Sequence, residues 1–592
     1  MYIAVVASEK EVENQSGTKG FTILSAASII NKILGVLYVP ILTLILGDVG
    51  NSIYDAGYKI YQLVFMITNA GIPVAISKMV SEQIASDRYD VSYRTLKISG
   101  TLLLSLGAFT SVITAVFAKQ FSAMTDWPES YMVILALSPT MLFTAVSCIF
   151  RGYFQGRSNM VPTGISQIIE QAVNSTFTIL FAWGMYRYGR NYAVLHGITD
   201  ETVINLEAVK FAAAGGTVGT SLGALVSALY LCRTYIKNKA GILKEIPQSI
   251  QNDVQNDVQN DVQNDQSKYT TKKILKKIFQ YAIPITLGSV AIYAANIIDL
   301  KFTRTRLIVS GFSVTEAMAL YGILSVKYLK ILFIPITLAT ALATTILPSI
   351  SAAAAKNDRA LLGRRISKSM KTILMIIVPA AVGMTVMAKP IIYILFPTTP
   401  NGWDLLMLGS WTMILISLVS IQTAILQGIG KTYLPMVHMV IGLVLKLFVN
   451  YNLIAIGAVN IKGAIAGSAV CYIFAFYMNY RSIKRLTGVR LDVKRLFNRP
   501  LSVSVIMGLF VLLIYEGLTF MTDWLIKSFF LQNLICAGIA IMAGVIIYYL
   551  LMIIAKGITA EDIRNLPKGS KILEYTVKIP FMRKYLVKDD MV

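Results

Sequence analysis

The sequence predicts an all-α integral membrane protein of about fourteen transmembrane helices, and three observations lead to that prediction. First, 55% of the 592 residues are hydrophobic and only 14% are charged, whereas soluble proteins average about 25% charged residues. Second, the mean hydropathy is +0.63. Third, apolar runs of roughly 20 residues, enough to cross a bilayer as a helix, recur from residue 20 to residue 556 between short polar connections.

The apolar runs define fourteen predicted spans. In chain order these are 20–46, 52–83, 92–118, 129–154, 161–187, 208–236, 274–303, 318–354, 360–388, 402–428, 431–456, 460–485, 497–518 and 528–556. Several are longer than a straight crossing requires, which predicts tilted or kinked helices. Breaks are expected at Gly71 and Pro73 in the second span, at Pro284 in the seventh, and at Pro335 and Pro348 in the eighth.

The distribution of basic residues predicts the orientation. Connections that follow even-numbered spans are rich in Lys and Arg: Arg88 follows the second span, and Arg151 and Arg157 lie around the end of the fourth. The other connections are short or acidic. Since positively charged loops stay inside the cell, both termini are predicted to be cytoplasmic, which requires an even number of spans. Arg304 and Arg306 break the pattern, because they fall on the predicted outer side.

The order of spans and loops predicts six regions along the chain. These are a cytoplasmic tail (1–19), an N-terminal six-helix bundle (20–236), a cytoplasmic linker (237–273), a second six-helix bundle (274–485), helices thirteen and fourteen (486–556) and a basic cytoplasmic tail (557–592). The linker contains QNDVQNDVQNDVQND at 251–265, a polar tract without apolar periodicity that we expect to be disordered.

The two six-helix bundles resemble each other. Lys59 precedes Ser81 by the same distance as Lys327 precedes Ser349, and FQGRSNMVP near the end of the fourth span matches LQGIGKTYLP near the end of the tenth. Because each half contains an even number of helices, the repeats are predicted to be parallel, related by an axis along the membrane normal. Such duplication is typical of secondary transporters and lipid flippases.

Composition and motifs argue against several other functions. The four cysteines lie singly in apolar runs, and no nucleotide-binding or zinc-protease motif occurs, so no cofactor, metal or catalytic residue is predicted. A GxSxG match at 219–223 lies inside an apolar helix and is interpreted as small packing residues. The net charge of +23 is spread over cytoplasmic loops, which favours contact with anionic membrane lipids over nucleic acid.

Polar side chains inside predicted spans are the candidate site residues. Each central charge costs about 2.5–3.5 kcal/mol on insertion scales, so such groups normally face a cavity. The predicted substrate-binding set is Asn31, Lys32, Lys59, Gln167, Glu170, Asp299, Lys327 and Lys330. Lysines in both halves suit an anionic phosphate or pyrophosphate headgroup. Two other interpretations stay open for them: snorkelling to the interface, or neutralisation of Lys327 or Lys330 by Asp299.

Two stretches resemble a known family. NAGIPVAISKMVSE (69–82) and FRGYFQGRSNMVPTGISQIIEQAVN (150–174) are similar to the stage V sporulation protein B branch of the polysaccharide exporters, within the multidrug/oligosaccharidyl-lipid/polysaccharide superfamily. NKILG (31–35) is similar to a motif of the superfamily's lipid II flippases, and by that match Lys32 takes the place of their basic residue on the first helix. The resemblance implies two six-helix bundles forming a V around a cationic cavity. It also implies two extra helices that hold a polyprenyl tail, and alternating access without covalent chemistry.

Together these observations predict a flippase that is not an enzyme. It would move a polyprenyl-pyrophosphate-linked saccharide, either lipid II or a polysaccharide unit, from the inner to the outer leaflet of the bacterial cytoplasmic membrane. Coupling to the membrane potential, to protons or to sodium is compatible with this hypothesis. A cation-coupled multidrug exporter is the first alternative, although the candidate residues include more lysines than acids. A membrane glycosyltransferase is the second, but it would need a larger outer loop than the one at 188–207.

Overall fold

A computed structural model describes residues 17–69, 71–245, 270–355, 358–489, 493–560, 573, 574 and 576. The tail at 1–16, the repeat at 251–265 and most of the basic C-terminal tail lie outside the described residues. The chain separates by packing into two compact units, Met1–Gly322 and Ile323–Val592. The predicted bundles divide instead at the 237–273 linker, and those boundaries, like the predicted V shape, stay predictions.

The described residues of the first unit form nine α-helices. They are α1 Gly17–Asn69, α2 Ile72–Ile84, α3 Tyr89–Val116, α4 Ala118–Met124, α5 Tyr131–Gly156, α6 Val161–Leu195, α7 Glu201–Lys244, α8 Thr271–Val309 and α9 Val314–Gly322. Helices α6 and α7 pack together along much of their length, α5 packs on α3 and α7, and α1 packs on α6. These contacts bring α1, α5, α6 and α7 around one common interior.

Helix α8, the seventh predicted span, packs within the first unit. Its residue Leu300 lies in a buried cluster with Leu46, Trp127 and Tyr321. Its opposite end contributes to a second buried cluster that α2, α3 and α5 complete. Part of the apolar surface of α8 is therefore buried against helices that precede the 237–273 linker in the chain, while residues such as Leu287 and Val309 remain exposed.

The second unit begins with a π-helical segment, Ile323–Tyr328. The α-helices that follow are α10 Leu329–Ala355, α11 Arg359–Val386, α12 Ala388–Leu395, α13 Trp403–Gly409, α14 Thr412–Gly428, α15 Tyr433–Leu453, α16 Gly463–Thr487, α17 Val493–Thr522 and α18 Phe529–Ile554. Helix α14 packs on α10 and α16, α15 on α16, and α17 on α11 and α18. Helices α17 and α18 expose many large apolar side chains, as expected for surfaces that contact lipid.

The helical membrane fold is confirmed, but the count of fourteen spans is not. Among the described residues, ten helices are long and apolar enough to cross a membrane, or eleven when α13 and α14, bent by 46°, are taken as one span. Helix α1 counts once although it covers two predicted spans. Helices α6 and α8 are not in the group, and both carry polar residues such as Glu170 and Asp299 along their length. Charged side chains in the middle of such long helices indicate that the helices line a cavity rather than face lipid.

The breaks occur only partly where proline and glycine predict them. Gly47 interrupts α1 with φ of 60°, a conformation that glycine adopts without strain. Helix α1 ends at Asn69 and α2 begins at Ile72, as Gly71 and Pro73 predict. The helical assignments of α8 and α10 continue through Pro284, Pro335 and Pro348, so kinks at these three prolines stay predictions. The π-helical segment, where the backbone hydrogen-bond spacing widens, lies N-terminal to Pro335.

Candidate functional site

A polar cavity lies inside the first unit, among α1, α5, α6 and α7. Its volume is about 170 Å³, room for about five water molecules at liquid density. Three of the predicted site residues, Asn31, Gln167 and Glu170, lie in its wall. The lining residues are Asn31, Tyr58, Arg151, Gln167, Glu170, Gln171, Asn174 and Thr220. Four helices thus bring amides, hydroxyls and one pair of opposite charges together inside an apolar bundle.

An ion pair between Arg151 and Glu170 dominates the electrostatics of the cavity. Nη2 of Arg151 lies 2.6 Å from Oε2 of Glu170. Two hydroxyl groups support the guanidinium, because Nη2 also donates to Ser227 at 2.9 Å and Nε donates to Ser166 at 3.0 Å. The side chains of Arg151 and Glu170 are 17% and 29% exposed. A partly buried charge pair of this kind is held in place by hydrogen bonds and still reaches the cavity.

Two amide oxygens in the cavity wall have no hydrogen-bond donor among the described residues. These are Oδ1 of Asn31 and Oε1 of Gln167, both of them buried. A buried acceptor left unpaired costs about 1–3 kcal/mol. Since both residues line the cavity, a ligand that carries hydroxyl or amide donors can satisfy these oxygens once the side chains turn toward it. The cavity therefore combines a cation for an anionic group with acceptors for neutral polar groups.

Close packing of α6 against α7 positions Glu170. A Cβ atom on Gly223 would lie 2.6 Å from the carbonyl oxygen of Glu170, and one on Gly219 would lie 2.4 Å from the backbone nitrogen of Thr178. The hydroxyl of Ser221 lies 2.6 Å from that of Thr140 on α5. The GxSxG match therefore consists of small packing residues, as predicted, and its glycines allow the cavity-lining helices to approach each other.

Lys59 lies outside the cavity and is paired. Its Nζ lies 3.3 Å from Oδ2 of Asp55, one helical turn away, and it also donates to the hydroxyl of Tyr321. The Tyr321 hydroxyl in turn donates to Asp55 at 2.9 Å. Neutralisation of Lys59 by Asp55 is not among the interpretations drawn from the sequence, and substrate binding by Lys59 stays a prediction. A headgroup would have to compete with Asp55 for it.

Arg304, which breaks the orientation pattern, is buried against an acid. Its Nη1 and Nη2 donate to the two carboxylate oxygens of Glu129 at 2.8 and 2.9 Å. The side chains are only 7% and 15% exposed, and the guanidinium stacks 4.7 Å from the ring centre of Trp127. A bidentate buried pair fixes two segments together. Arg304 is thus an internal structural charge, and its position gives no argument against the predicted orientation.

Lys327 is fully buried in the second unit. Its relative exposure is 0%, and Nζ donates to the backbone carbonyl of Thr399 at 2.5 Å and to its hydroxyl at 3.1 Å. The ring centre of Phe396 lies 5.4 Å away. The residue belongs to the π-helical segment, where widened turns are frequent at functional positions.

The remaining predicted residues are not brought into the cavity by the described contacts. Lys330 lies partly exposed on α10, and Asp299 lies partly exposed on α8, where its backbone carbonyl accepts from Thr303 at 2.7 Å. The backbone of Lys32 lies on α1, but its side chain is outside what the structure describes. Whether these residues bind substrate stays a prediction.

Arg151 is the main residue that the sequence analysis missed. From the sequence it counts among the basic residues around the end of the fourth span and is not named as a site residue, whereas it lies inside α5, five residues before the helix ends at Gly156. Arg151 is part of the stretch FRGYFQG (150–156). What the sequence does not show is that Arg151 lies next to Glu170 in the folded protein. That relation depends on how α5 packs beside α6, which a linear pattern does not specify.

The helices and the ion-paired cavity define a multi-pass membrane protein with a polar site inside its helical bundle, an arrangement typical of membrane transporters. Within the described ranges, no group of three or more His, Cys, Asp or Glu side chains can hold a metal ion.

The chain belongs to the polysaccharide biosynthesis protein family, whose model matches residues 18–354. It is 28% identical to the lipid II flippase MurJ of Bacillus subtilis (strain 168), over 86% of this chain and 90% of that protein. It is 23% identical to the stage V sporulation protein B of the same organism, over 93% of this chain and 98% of that protein. The family resemblance predicted from the sequence motifs is confirmed.

A solved structure of the lipid II flippase MurJ, in an inward closed conformation, shares the fold. It matches with a TM-score of 0.59 and 15% identity, over 90% of this chain and 98% of that chain. At this level of identity the match shows the fold alone.

Proposed function

We propose that the protein moves a polyprenyl-pyrophosphate-linked saccharide, either lipid II or a related polysaccharide unit, from the inner to the outer leaflet. The observation that carries this proposal is the similarity to a lipid II flippase over 90% of that protein's length. Transport proceeds by alternating access of the helical bundles, without covalent chemistry, in a bacterial cytoplasmic membrane with both termini on the cytoplasmic side.

The cavity of the first unit has the chemistry that such a substrate needs. A phosphate or a sugar cannot cross hydrocarbon unaided, because every charge and hydroxyl would lose its hydration. Arg151 supplies a cation for a phosphate oxygen, and the unpaired oxygens of Asn31 and Gln167 accept from hydroxyl or N-acetyl groups. The present cavity of about 170 Å³ holds only the charged part of a headgroup, so the saccharide enters as the bundle opens.

The predicted lysines supply further contacts along the path. Lys59 exchanges Asp55 for a substrate oxygen, and Lys327 exchanges Thr399. Lys32, Lys330 and Asp299 stay proposed ligands on the same path. Outward movement of a dianion is favoured by about 4.6 kcal/mol per 100 mV of membrane potential, negative inside, if its charges cross uncompensated.

Complementation tests the function. We expect the wild-type protein to restore growth to a bacterial strain depleted of its lipid II flippase. A variant with Lys59→Ala and Lys327→Ala, at equal membrane abundance, should restore growth poorly, because it removes one cation from each unit. Lys462→Ala is the matched control, since Lys462 forms an exposed pair with Asp404 at 3.1 Å.

Two results would contradict parts of this proposal. If the wild type is abundant in the membrane and fails to restore growth, lipid II is not the substrate. Export of another polyprenyl-linked glycan, and efflux of cationic dyes from the same cells, would then be measured in turn. If the double variant restores growth as well as the wild type, Lys59 and Lys327 do not bind the headgroup.

A further inference from the structure

The Arg151–Glu170 pair differs in its hydrogen bonding from the Arg304–Glu129 pair, which also lies in the first unit. Glu129 engages Arg304 through both carboxylate oxygens and both terminal nitrogens. Glu170 engages Arg151 through one oxygen and one nitrogen. Nη1 of Arg151 and Oε1 of Glu170 have no hydrogen-bond partner among the described residues. Arg304 therefore uses both terminal nitrogens on its acid, whereas Arg151, in the wall of a cavity, leaves Nη1 unused.

A phosphate can occupy both Nη1 and Nη2 of Arg151, whereas Glu170 occupies only Nη2. A guanidinium presents two parallel N–H groups, from Nη1 and Nη2, that match two oxygens of one phosphate. At present Glu170 takes Nη2 and leaves Nη1. The hydroxyls of Ser166 and Ser227 hold the guanidinium through Nε and Nη2, so the arginine stays in place when its acidic partner leaves.

We infer that Arg151 is a phosphate-binding residue and that Glu170 is its resident counter-anion, which the substrate phosphate displaces on binding. The inference rests on the proposed function and adds the residue and the exchange by which the phosphate is held. In the empty protein the pair is internally neutral, which makes the buried arginine tolerable. When phosphate binds, the released carboxylate turns to the amide N–H groups of the cavity wall, such as that of Gln167.

The exchange makes a prediction that a purely structural ion pair does not. Removing the competitor, by Glu170→Gln, should tighten phosphate binding, whereas removing the cation, by Arg151→Gln, should weaken it. Both substitutions should lower thermal stability, because each breaks the same buried pair. Opposite changes in affinity with parallel changes in stability are therefore the signature of exchange.

The experiment uses the full-length protein in lipid nanodiscs, with binding measured by microscale thermophoresis. The probe is a polyprenyl pyrophosphate without a sugar. Polyprenol, inorganic pyrophosphate and phosphatidylglycerol are measured beside it, to separate the lipid tail, free phosphate and an ordinary phospholipid headgroup as sources of affinity. We expect Glu170→Gln to lower the Kd about 10-fold. Loss of a charged hydrogen bond in Arg151→Gln should raise it about 10- to 100-fold.

A neutral double variant, Arg151→Gln/Glu170→Gln, keeps the experiment decisive if a single variant folds poorly, since it leaves no unpaired charge. It should bind the pyrophosphate as weakly as Arg151→Gln does. The inference is overturned if the folded double variant binds like the wild type, or if folded Glu170→Gln does not bind more tightly. If the wild type itself does not distinguish polyprenyl pyrophosphate from polyprenol, the proposed function fails, and with it the basis of the inference.

Discussion

Breaking the buried Arg304–Glu129 ion pair should destabilise the protein far more than breaking the nearby exposed ion pair between Lys301 and Asp126. The variant Arg304→Met leaves the Glu129 carboxylate, which is only 15% exposed, without its two hydrogen bonds of 2.8 and 2.9 Å. It also removes the cation from the face of Trp127. Loss of one partner from a buried pair costs about 3–5 kcal/mol. In contrast, Lys301 pairs with Asp126 at 3.3 Å with both side chains more than 40% exposed, so Lys301→Met should cost less than about 1 kcal/mol.

Unfolding of the purified protein in mixed micelles, titrated with SDS and followed by tryptophan fluorescence, measures both losses. The double variant Arg304→Met/Glu129→Leu should regain most of the stability lost in Arg304→Met, because no unpaired charge remains. Equal losses for Arg304→Met and Lys301→Met would refute the reasoning. A double variant no more stable than Arg304→Met would show that the pair does more than cancel charge.

Three further predictions follow from local geometry. Gly223→Ala should abolish flippase complementation and lower the unfolding midpoint, because its Cβ would lie 2.6 Å from the carbonyl oxygen of Glu170. Gly241→Ala, on the same helix with nothing within 4 Å, should have no effect. Lys327→Met should remain folded, since it replaces a buried cation with an apolar side chain of similar length, and should still reduce complementation. Hydrogen bonds from Thr202 lower the pKa of Asp200, the N-cap residue of α7. The stability that this cap contributes should be fully present above the pKa of Asp200 in the unfolded chain, and it should be lost as the pH falls through the lower pKa of the folded protein. Hydrogen exchange at the start of α7 should report this loss in the wild type but not in Asp200→Asn.

The sequence predicted those features of the fold that depend on composition and local pattern. Apolar runs located the helices, and the break around Gly71 and Pro73 followed from backbone chemistry. The prolines alone do not decide where a helix is interrupted: the helical assignment continues through Pro335 and Pro348, since neighbouring groups can satisfy the freed backbone groups of a membrane helix. Packing decides such cases, and a single sequence does not contain the packing.

The site divides in the same way. Asn31, Gln167 and Glu170 could be predicted, because polar residues deep in an apolar run indicate a cavity. Arg151 could not, because near a helix end it looks like any positive-inside arginine. Lys59 and Asp55 are one helical turn apart, so their pairing could be predicted from the sequence. The hydroxyl of Tyr321, which contacts both, could not be predicted, because Tyr321 lies 262 residues further along the chain from Lys59.

The Arg304–Glu129 pair also affects how the first unit assembles while the chain is being synthesised. Glu129 is synthesised 175 residues before Arg304, a delay of about 10 to 35 seconds at usual rates of bacterial translation. During that interval the acid has no arginine, and it must stay hydrated or protonated while the first helices are already inserted. We therefore expect the partly synthesised bundle to keep Glu129 accessible to water until α8 has been inserted. Loss of this access would be the event that marks the first unit as assembled.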